Sequence, residues 1–398
     1  MPTAAPSISA PSISAGEFAE RRARAAEATK AAGLDALLIC SRGGGTVDRF
    51  ADVMYLSGFY TSFPYTPDHE GSWSGRAHSF MVLPVGGKPR LIIDVPKQSE
   101  VHVEDGEVIY TDFVIEATIQ ALRDAGLERA KVGLVGEDVM PVSFFRKITT
   151  QLPNLVVESA DAILTNLRKI KSPAEIAMLR HASFVGSRMI DTMMAAVEPG
   201  VSHGEIVAAG MQTLLPAGGI LYNSFMASGK GGENRKMVRN GFPTWGSQEK
   251  IENGDWFRAG ISGIVGGYIF DLSRSKAVGQ ATNRQIDLFE AAISCVEAGI
   301  ETIRPGATAG DLAVAGLGRQ KQLGFEIKGV FPGLGHGIGL GWDAPWLTPD
   351  EPTPIVPGMV LCFERTIQQD GYLGDFEDTA LVTENGVEML TDAKKRHY

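Results

Sequence analysis

The sequence has few cysteines and no long hydrophobic run, and its first residues are not of the kind expected of a signal peptide. Its 398 residues include three cysteines, Cys40, Cys295 and Cys362, which lie far apart with apolar neighbours. We interpret them as buried thiols of a reducing compartment rather than a disulfide framework. No run reaches the roughly 18 apolar residues that a transmembrane helix needs. The first fourteen residues lack a basic segment followed by an apolar one, so we expect a cytoplasmic protein.

Positive charge is also scarce. The chain has 37 Lys and Arg against 47 Asp and Glu, a net charge of −10, and no basic run. Such a chain has no surface suited to releasing counterions from nucleic acid or to binding an anionic membrane, so we exclude both as partners. An apolar content of 44% is that of a globular protein, and the length permits one large domain or two ordinary ones.

The chain divides into a tail and two domains. Residues 1–15, rich in Ser, Pro and Ala, predict a flexible tail. Short apolar runs alternate with helical stretches over residues 16–165, which is typical of an α/β domain. A second domain, residues 166–398, follows, and its first helix is predicted to begin at Pro173 after the N-cap Ser172.

The second domain contains an internal repeat. Residues 197–206 reappear as 303–312, each with a Pro-Gly turn and a helix-capping pattern, and residues 251–255 are echoed by 355–359. The repeat predicts two pseudo-symmetric halves that share one curved sheet. It aligns Gly260 with Glu364, and Asp271 with Glu377.

Four residues of this domain are candidate metal ligands: Asp271, His336, Glu364 and Glu377. Three carboxylates and an imidazole suit a hard or borderline divalent ion. An acid in an apolar strand is costly unless it is paired or metal-bound. An ion pair for Glu364 and a structural role for His336 are the alternatives. Gly260 stands where a further acid would face the site, so we expect room for one ion at most.

Several segments resemble the creatinase, aminopeptidase P and prolidase family. They are residues 55–59, 162–176, 267–274, 335–339, 357–360 and 377–386, and the resemblance covers nearly the whole chain. It implies a mixed α/β fold with a creatinase-like N-terminal α/β domain, followed by a pita-bread domain of two pseudo-symmetric halves, usually in a homodimer. The peptidases of the family hold two ions with two Asp, one His and two Glu. Four of these ligands match Asp271, His336, Glu364 and Glu377 here.

Three departures from the family pattern point to a non-peptidase branch. Gly260 replaces the first Asp ligand, and Asn240 and Asp343 replace two histidines that position and protonate peptides. Such branches hydrolyse creatine, open the ring of ectoine or cleave dimethylsulfoniopropionate. We therefore expect hydrolysis of a C–N bond in a small polar or zwitterionic metabolite. The site would hold one divalent ion (Mn, Fe or Zn) or none. A lyase, a residual Xaa-Pro peptidase and an inactive binding module are the alternatives.

Roles can be assigned to the remaining candidates. Glu364, Asp343 and Asn240 are the predicted catalytic residues. Arg258 points the same way as Gly260 by strand alternation. We predict that it pairs with Asp271 and Glu377 or receives a substrate carboxylate, the alternative being an Arg kept for charge balance. An aromatic loop supplies further substrate-binding candidates suited to a cationic or planar group, with packing in a dimer interface as the alternative; they are Tyr60, Phe63, Tyr65 and Trp73.

Overall fold

The computed structural model describes residues 11–43, 50–96, 100–231, 248–327 and 331–398. These residues form two compact units, one spanning residues 13–168 and the other built chiefly of residues 169–398. No helix within the described ranges is long and apolar enough to cross a membrane.

The N-terminal unit is a six-stranded mixed sheet with helices, in the strand order β4-β3-β2-β1-β5-β6. Its helices are α1 (Ala15–Ala31), α2 (Ala51–Ser57), α3 (Val114–Asp124), α4 (Val142–Gln151) and α5 (Asp161–Lys169). Its strands are β1 (Ala36–Arg42), β2 (His78–Pro84), β3 (Arg90–Ile93), β4 (Glu107–Tyr110), β5 (Lys131–Val135) and β6 (Val156–Ser159). The central strands β1 and β2 are buried along almost their whole length, as expected of apolar runs covered on both faces.

We expect a buried histidine to make this unit sensitive to acid. His78 is 1% exposed, packs edge-on to Phe144 at 5.0 Å, and its Nδ1 donates to the carbonyl of Arg76. Burial lowers the pKa of His78 from 6.5 to about 4. Because the folded-state pKa is depressed, its stabilising contribution is present above about pH 6.5 and is lost as the pH falls through about 4. We expect His78→Phe to shrink the loss of thermal stability between about pH 7 and about pH 4.5, measured by circular dichroism; an unchanged pH dependence would contradict this.

The C-terminal unit is an eight-stranded sheet covered by two helix pairs. The strand order is β11-β10-β12-β13-β9-β8-β7, and β14 pairs with β13. The helices are α6 (Pro173–Ala196), α7 (His203–Leu214), α8 (Asn283–Glu301) and α9 (Ala309–Gln322). The strands are β7 (Gly219–Ala227), β8 (Trp256–Val265), β9 (Tyr268–Ala277), β10 (Gly335–Ile338), β11 (Trp342–Trp346), β12 (Val360–Gln369), β13 (Tyr372–Thr383) and β14 (Gly386–Met389).

The two halves that the repeat predicts are present. Helix α6 packs on β8 and β9, and α8 packs on β12 and β13. Helix α6 begins at Pro173 as predicted, and capping boxes stand at Ser172, Ser202 and Thr308. The predicted fold class, an N-terminal α/β domain followed by a pita-bread domain, is confirmed.

Tight packing of α6 on β9 can be tested with two helical glycines. A Cβ at Gly186 would lie 2.5 Å from the ring of Phe270, the residue before Asp271, whereas a Cβ at Gly318 in α9 meets nothing within 4 Å. We expect Gly186→Ala to destabilise the protein by about 1–3 kcal/mol through overpacking. The matched control Gly318→Ala should stabilise it by about 0.5–1 kcal/mol, because helical alanine replaces glycine. Urea unfolding measures both, and equal effects would contradict the close contact.

Candidate active site

Strand register brings the candidate ligands onto one face of the C-terminal sheet. Gly260 lies opposite Ser273, Ser273 opposite Glu377, and Glu377 opposite Glu364. Residues directly opposite each other in antiparallel strands point to the same face. Gly260 and Glu364 are thus the two ends of one row of facing residues that crosses four strands, as the repeat predicts. A Cβ at Gly260 would have only the Cβ of Ser273 near it, at 3.7 Å, so this end of the row has space for a side chain.

The neighbouring row holds Asp271 and His336. Asp271 accepts hydrogen bonds from the Ser262 hydroxyl at 3.0 Å and from the indole Nε1 of Trp342 at 2.6 Å. His336 Nε2 lies 3.8 Å from Asp271 Oδ2, and its Nδ1 is 2.9 Å from the carbonyl of Gly337. A carbonyl can only accept, so Nδ1 carries the ring proton and Nε2 offers a lone pair to the site. This is the arrangement of a metal-binding histidine.

Acidic side chains are crowded between the two rows, which changes their pKa values. Burial raises the pKa of Asp271 to about 7. Burial, followed by repulsion from Asp271 and Asp375, raises the pKa of the half-buried Glu364 to about 8. Burial, followed by repulsion from Asp271 and Glu364, raises the pKa of the buried Glu377 well above its usual range. Burial also lowers the pKa of His336, which keeps the imidazole neutral. Three acids and a neutral imidazole are donors of the type that suits one divalent ion, and their binding of an ion remains a prediction.

Arg258 does not neutralise these acids, and the prediction that it pairs with Asp271 and Glu377 is wrong. Its Nη1 lies 3.4 Å from Asp375 Oδ2. Two residues along a strand displace a side chain by about 7 Å, so Arg258 belongs to the row beyond Gly260. There it faces Asp375, which also accepts a hydrogen bond of 2.6 Å from Thr366. Sequence reasoning did not identify Asp375.

These rows form the floor of a cavity of about 310 Å³. The four predicted ligands and Arg258 all line it, and so do three aromatic residues that sequence reasoning missed, Phe225, Trp342 and Trp346. Trp342 and Trp346 lie 5.9 and 5.4 Å from the ring of His336. The only sequence signal for them was the pair of tryptophans soon after the Gly-His-Gly segment.

Asp343 follows Trp342 in β11 and lies outside the lining of this cavity. Adjacent strand residues face opposite sides, and the Asp343 carboxylate lies 3.8 Å from the buried Nζ of Lys171. Its catalytic role remains a prediction. Asn240, the third predicted catalytic residue, lies outside the described residues.

The predicted aromatic loop belongs to the N-terminal unit and contacts basic and aromatic side chains there. The guanidinium of Arg76 lies 4.4 Å from the ring of Phe63 and 5.9 Å from that of Trp73. Arg42 lies 4.6 Å from Tyr65. Tyr60 packs edge-on to Phe50 at 5.3 Å. The substrate-binding role of Tyr60, Phe63, Tyr65 and Trp73 remains a prediction.

Two family models match the chain, the Creatinase/Prolidase N-terminal domain at residues 21–170 and Metallopeptidase family M24 at residues 177–384. The Xaa-Pro dipeptidase of Pyrococcus furiosus is 27% identical over 59% of this chain and 66% of its own length. The creatinase of Bacillus sp. is 24% identical over 96% and 92%. The ectoine hydrolase of Halomonas elongata is 24% identical over 75% and 76%.

Solved structures agree on the fold. Dipeptidase PepE from Mycobacterium ulcerans superposes with a TM-score of 0.78 and 24% identity, over 97% of this chain and 98% of that one. At this identity the likeness establishes the fold and leaves the substrate open.

Proposed function

This chain belongs to metallopeptidase family M24, a family of hydrolases, and we propose that it hydrolyses a C–N bond in a small zwitterionic metabolite, with one divalent ion or none. The observation that carries the proposal is the layout of the cavity. The Arg258–Asp375 pair lies at one end, acids lie in the middle, and Trp342 and Trp346 lie at the other end. A volume of about 310 Å³ is at the lower limit for ligand pockets, which favours a small ligand over a long peptide.

The aromatic end suits a cationic group. Trp342 and Trp346 line the cavity beside three carboxylates, while Phe225 pairs with Gly260 in the middle row. One divalent ion neutralises two negative charges, so the fully ionised set keeps a net negative charge even when the ion is bound. Aromatic faces beside negative charge attract alkylammonium groups through cation–π and charge interactions.

The opposite end suits a carboxylate. The 3.4 Å contact of Arg258 with Asp375 is long, and its buried Nε has no hydrogen-bond partner among the described residues. A guanidinium has five N–H donors in a planar fork that matches a carboxylate. Arg258 lines the cavity, so the N–H groups at the end of its guanidinium can donate to an anionic substrate group.

In the middle of the cavity, we assign proton transfer to Glu364. In the protein without an ion, burial raises the pKa of this carboxyl to about 8, so it exchanges a proton readily around neutral pH. In the proposed reaction Glu364 takes a proton from the attacking water and delivers it to the leaving nitrogen. The hydrogen bond from Trp342 fixes Asp271, and Arg258 orients the substrate. A divalent ion held by Asp271, His336, Glu364 and Glu377 would supply Lewis-acid activation of the carbonyl or of water.

A substrate panel tests this function. Purified protein, metal-free or loaded with manganese, iron or zinc, is incubated in ¹⁸O-labelled water with creatine, ectoine and an Xaa-Pro dipeptide. We expect turnover of a zwitterion with ¹⁸O in the product and little dipeptide cleavage. Efficient Xaa-Pro cleavage would overturn the proposal in favour of a dipeptidase. An unsaturated product without ¹⁸O would overturn it in favour of a lyase, an activity that none of the relatives named above carries in its name.

The polarity of the cavity predicts which ligands bind. Glycine betaine carries a quaternary ammonium and a carboxylate, 3,3-dimethylbutanoate has the same shape without the positive charge, and choline lacks the carboxylate. We expect calorimetry to show tightest binding for glycine betaine. Arg258→Gln should weaken that binding about tenfold or more through loss of a charged hydrogen bond. It should leave choline unaffected, and the partly exposed Arg284→Gln serves as the control. Equal binding of all three ligands would contradict the layout.

The proposal includes a cytoplasmic homodimer. Sedimentation of the purified chain tests the oligomeric state, and cell fractionation tests the location.

A further inference from the structure

A cysteine lies among the candidate ligands. Cys362 is two residues before Glu364 in β12, faces the same side, and pairs in register with His336 on β10 and Thr379 on β13. It is fully buried. The Cys362 Sγ, a ring nitrogen of His336 and a carboxylate oxygen of Glu377 all lie within 4.8 Å of one another.

We propose that Cys362 supplies a sulfur donor to the single ion, together with His336 and Glu377. This inference rests on the single-ion site proposed above. It gives the site a fifth donor although Gly260 offers none. A thiolate is a soft ligand, so the centre should favour zinc, iron or cobalt over manganese or magnesium.

The required movement is small. In a tetrahedral zinc site, bond lengths of about 2.3 Å to sulfur and about 2.05 Å to nitrogen place the two donor atoms about 3.6 Å apart. Atoms within 4.8 Å therefore reach such positions with a side-chain shift of about 1 Å. The cavity beside them is lined by His336 and Glu377, whose side chains can close on the ion.

Thr379 can support both states of the sulfur. Its hydroxyl lies 3.2 Å from the Cys362 Sγ and 3.0 Å from the carbonyl of Asp271. Without an ion, the hydroxyl donates to the carbonyl and accepts from the thiol. When sulfur binds the ion, the thiol proton leaves to solvent, and the hydroxyl can turn its own proton towards the thiolate.

Cobalt reports sulfur ligation directly. We expect the wild-type protein loaded with Co²⁺ to show a near-ultraviolet sulfur-to-cobalt charge-transfer absorption that saturates at about one ion per chain. Cys362→Ser should abolish this absorption. The matched controls Cys295→Ser and Cys40→Ser replace the other buried cysteines and should retain it.

Ion preference gives a second readout. We expect Cys362→Ser to weaken zinc binding about tenfold or more relative to manganese, the order of effect seen when metal surroundings are altered. If cobalt binds without the absorption, Cys362 is not a ligand, while the single-ion site stands. If no ion binds at all, the sulfur ligand and the single-ion site both fail, while hydrolysis by the same acids without metal stands. The wild-type spectrum decides the question even if a serine variant does not fold.

Discussion

Replacing Glu364 by glutamine should lower turnover of the zwitterionic substrate about 10³-fold, the scale of losing a proton-transfer group. Glutamine keeps the shape and the hydrogen-bonding oxygen but cannot exchange a proton. Glu364 is also a candidate ion ligand, so the variant should bind the ion more weakly. Steady-state kinetics at saturating ion separate the two effects, because a pure ligand defect recovers as the ion concentration rises.

The same substitution should leave the metal-free protein at least as stable as the wild type. The folded-state pKa of Glu364, about 8, lies above the ordinary value of 4.5. Between these two pH values the folded protein therefore binds more protons than the unfolded protein. The contribution of the Glu364 carboxyl to stability is present below about pH 4.5 and is lost as the pH rises through about 8. Glutamine removes this loss, so thermal unfolding of chelator-treated Glu364→Gln should depend less on pH.

Glu384→Gln, at an exposed position just beyond β13, is the matched control and should change neither kinetics nor pH dependence. Full activity of Glu364→Gln would remove Glu364 from the reaction. A collapse of the metal-free variant would show that its charge supports the fold, contrary to the buried repulsion described above.

The sequence was informative where local patterns set the structure. The capping residues Ser172, Ser202 and Thr308 mark helix starts through hydrogen bonds to residues within four positions, so these starts could be predicted from the sequence. The repeat placed Gly260 and Glu364 on equivalent strands because each half folds by the same local rules. Asp271, His336, Glu364 and Glu377 all line one cavity, and their role as ligands stays a prediction.

Contacts that depend on the register between strands could not be predicted from the sequence. The pairing of Arg258 with Asp375 requires β8, β9 and β13 to lie side by side in one particular register, which no spacing in the chain encodes. The position of Cys362 also depends on strand register. Its apolar neighbours in the sequence predicted an inert core thiol, but the pairing of β10 with β12 brings His336 beside it. Trp342 was missed because its importance lies in one long-range hydrogen bond to Asp271.

Restoring an acid at position 260 should change the ion content of the protein from about one per chain to about two. Gly260 lies in the row of Ser273, Glu377 and Glu364, and a Cβ there makes only an ordinary contact of 3.7 Å. The buried Ser273 hydroxyl beside it has no hydrogen-bond partner among the described residues, so this end of the row can accept a polar group. Gly260→Asp should therefore fold and present a carboxylate towards Glu377.

Elemental analysis after dialysis against manganese or zinc measures the outcome, with Gly260→Asn as a control of equal size without the charge. We expect asparagine to leave the content near one, because a neutral amide is a weaker ligand than a carboxylate. Two ions in Gly260→Asp would identify glycine as the cause of the single-ion site. One ion in both variants would mean that the Arg258–Asp375 pair or Phe225 blocks the second position, and no ion in any form would leave Glu364 and its neighbouring acids to act without metal.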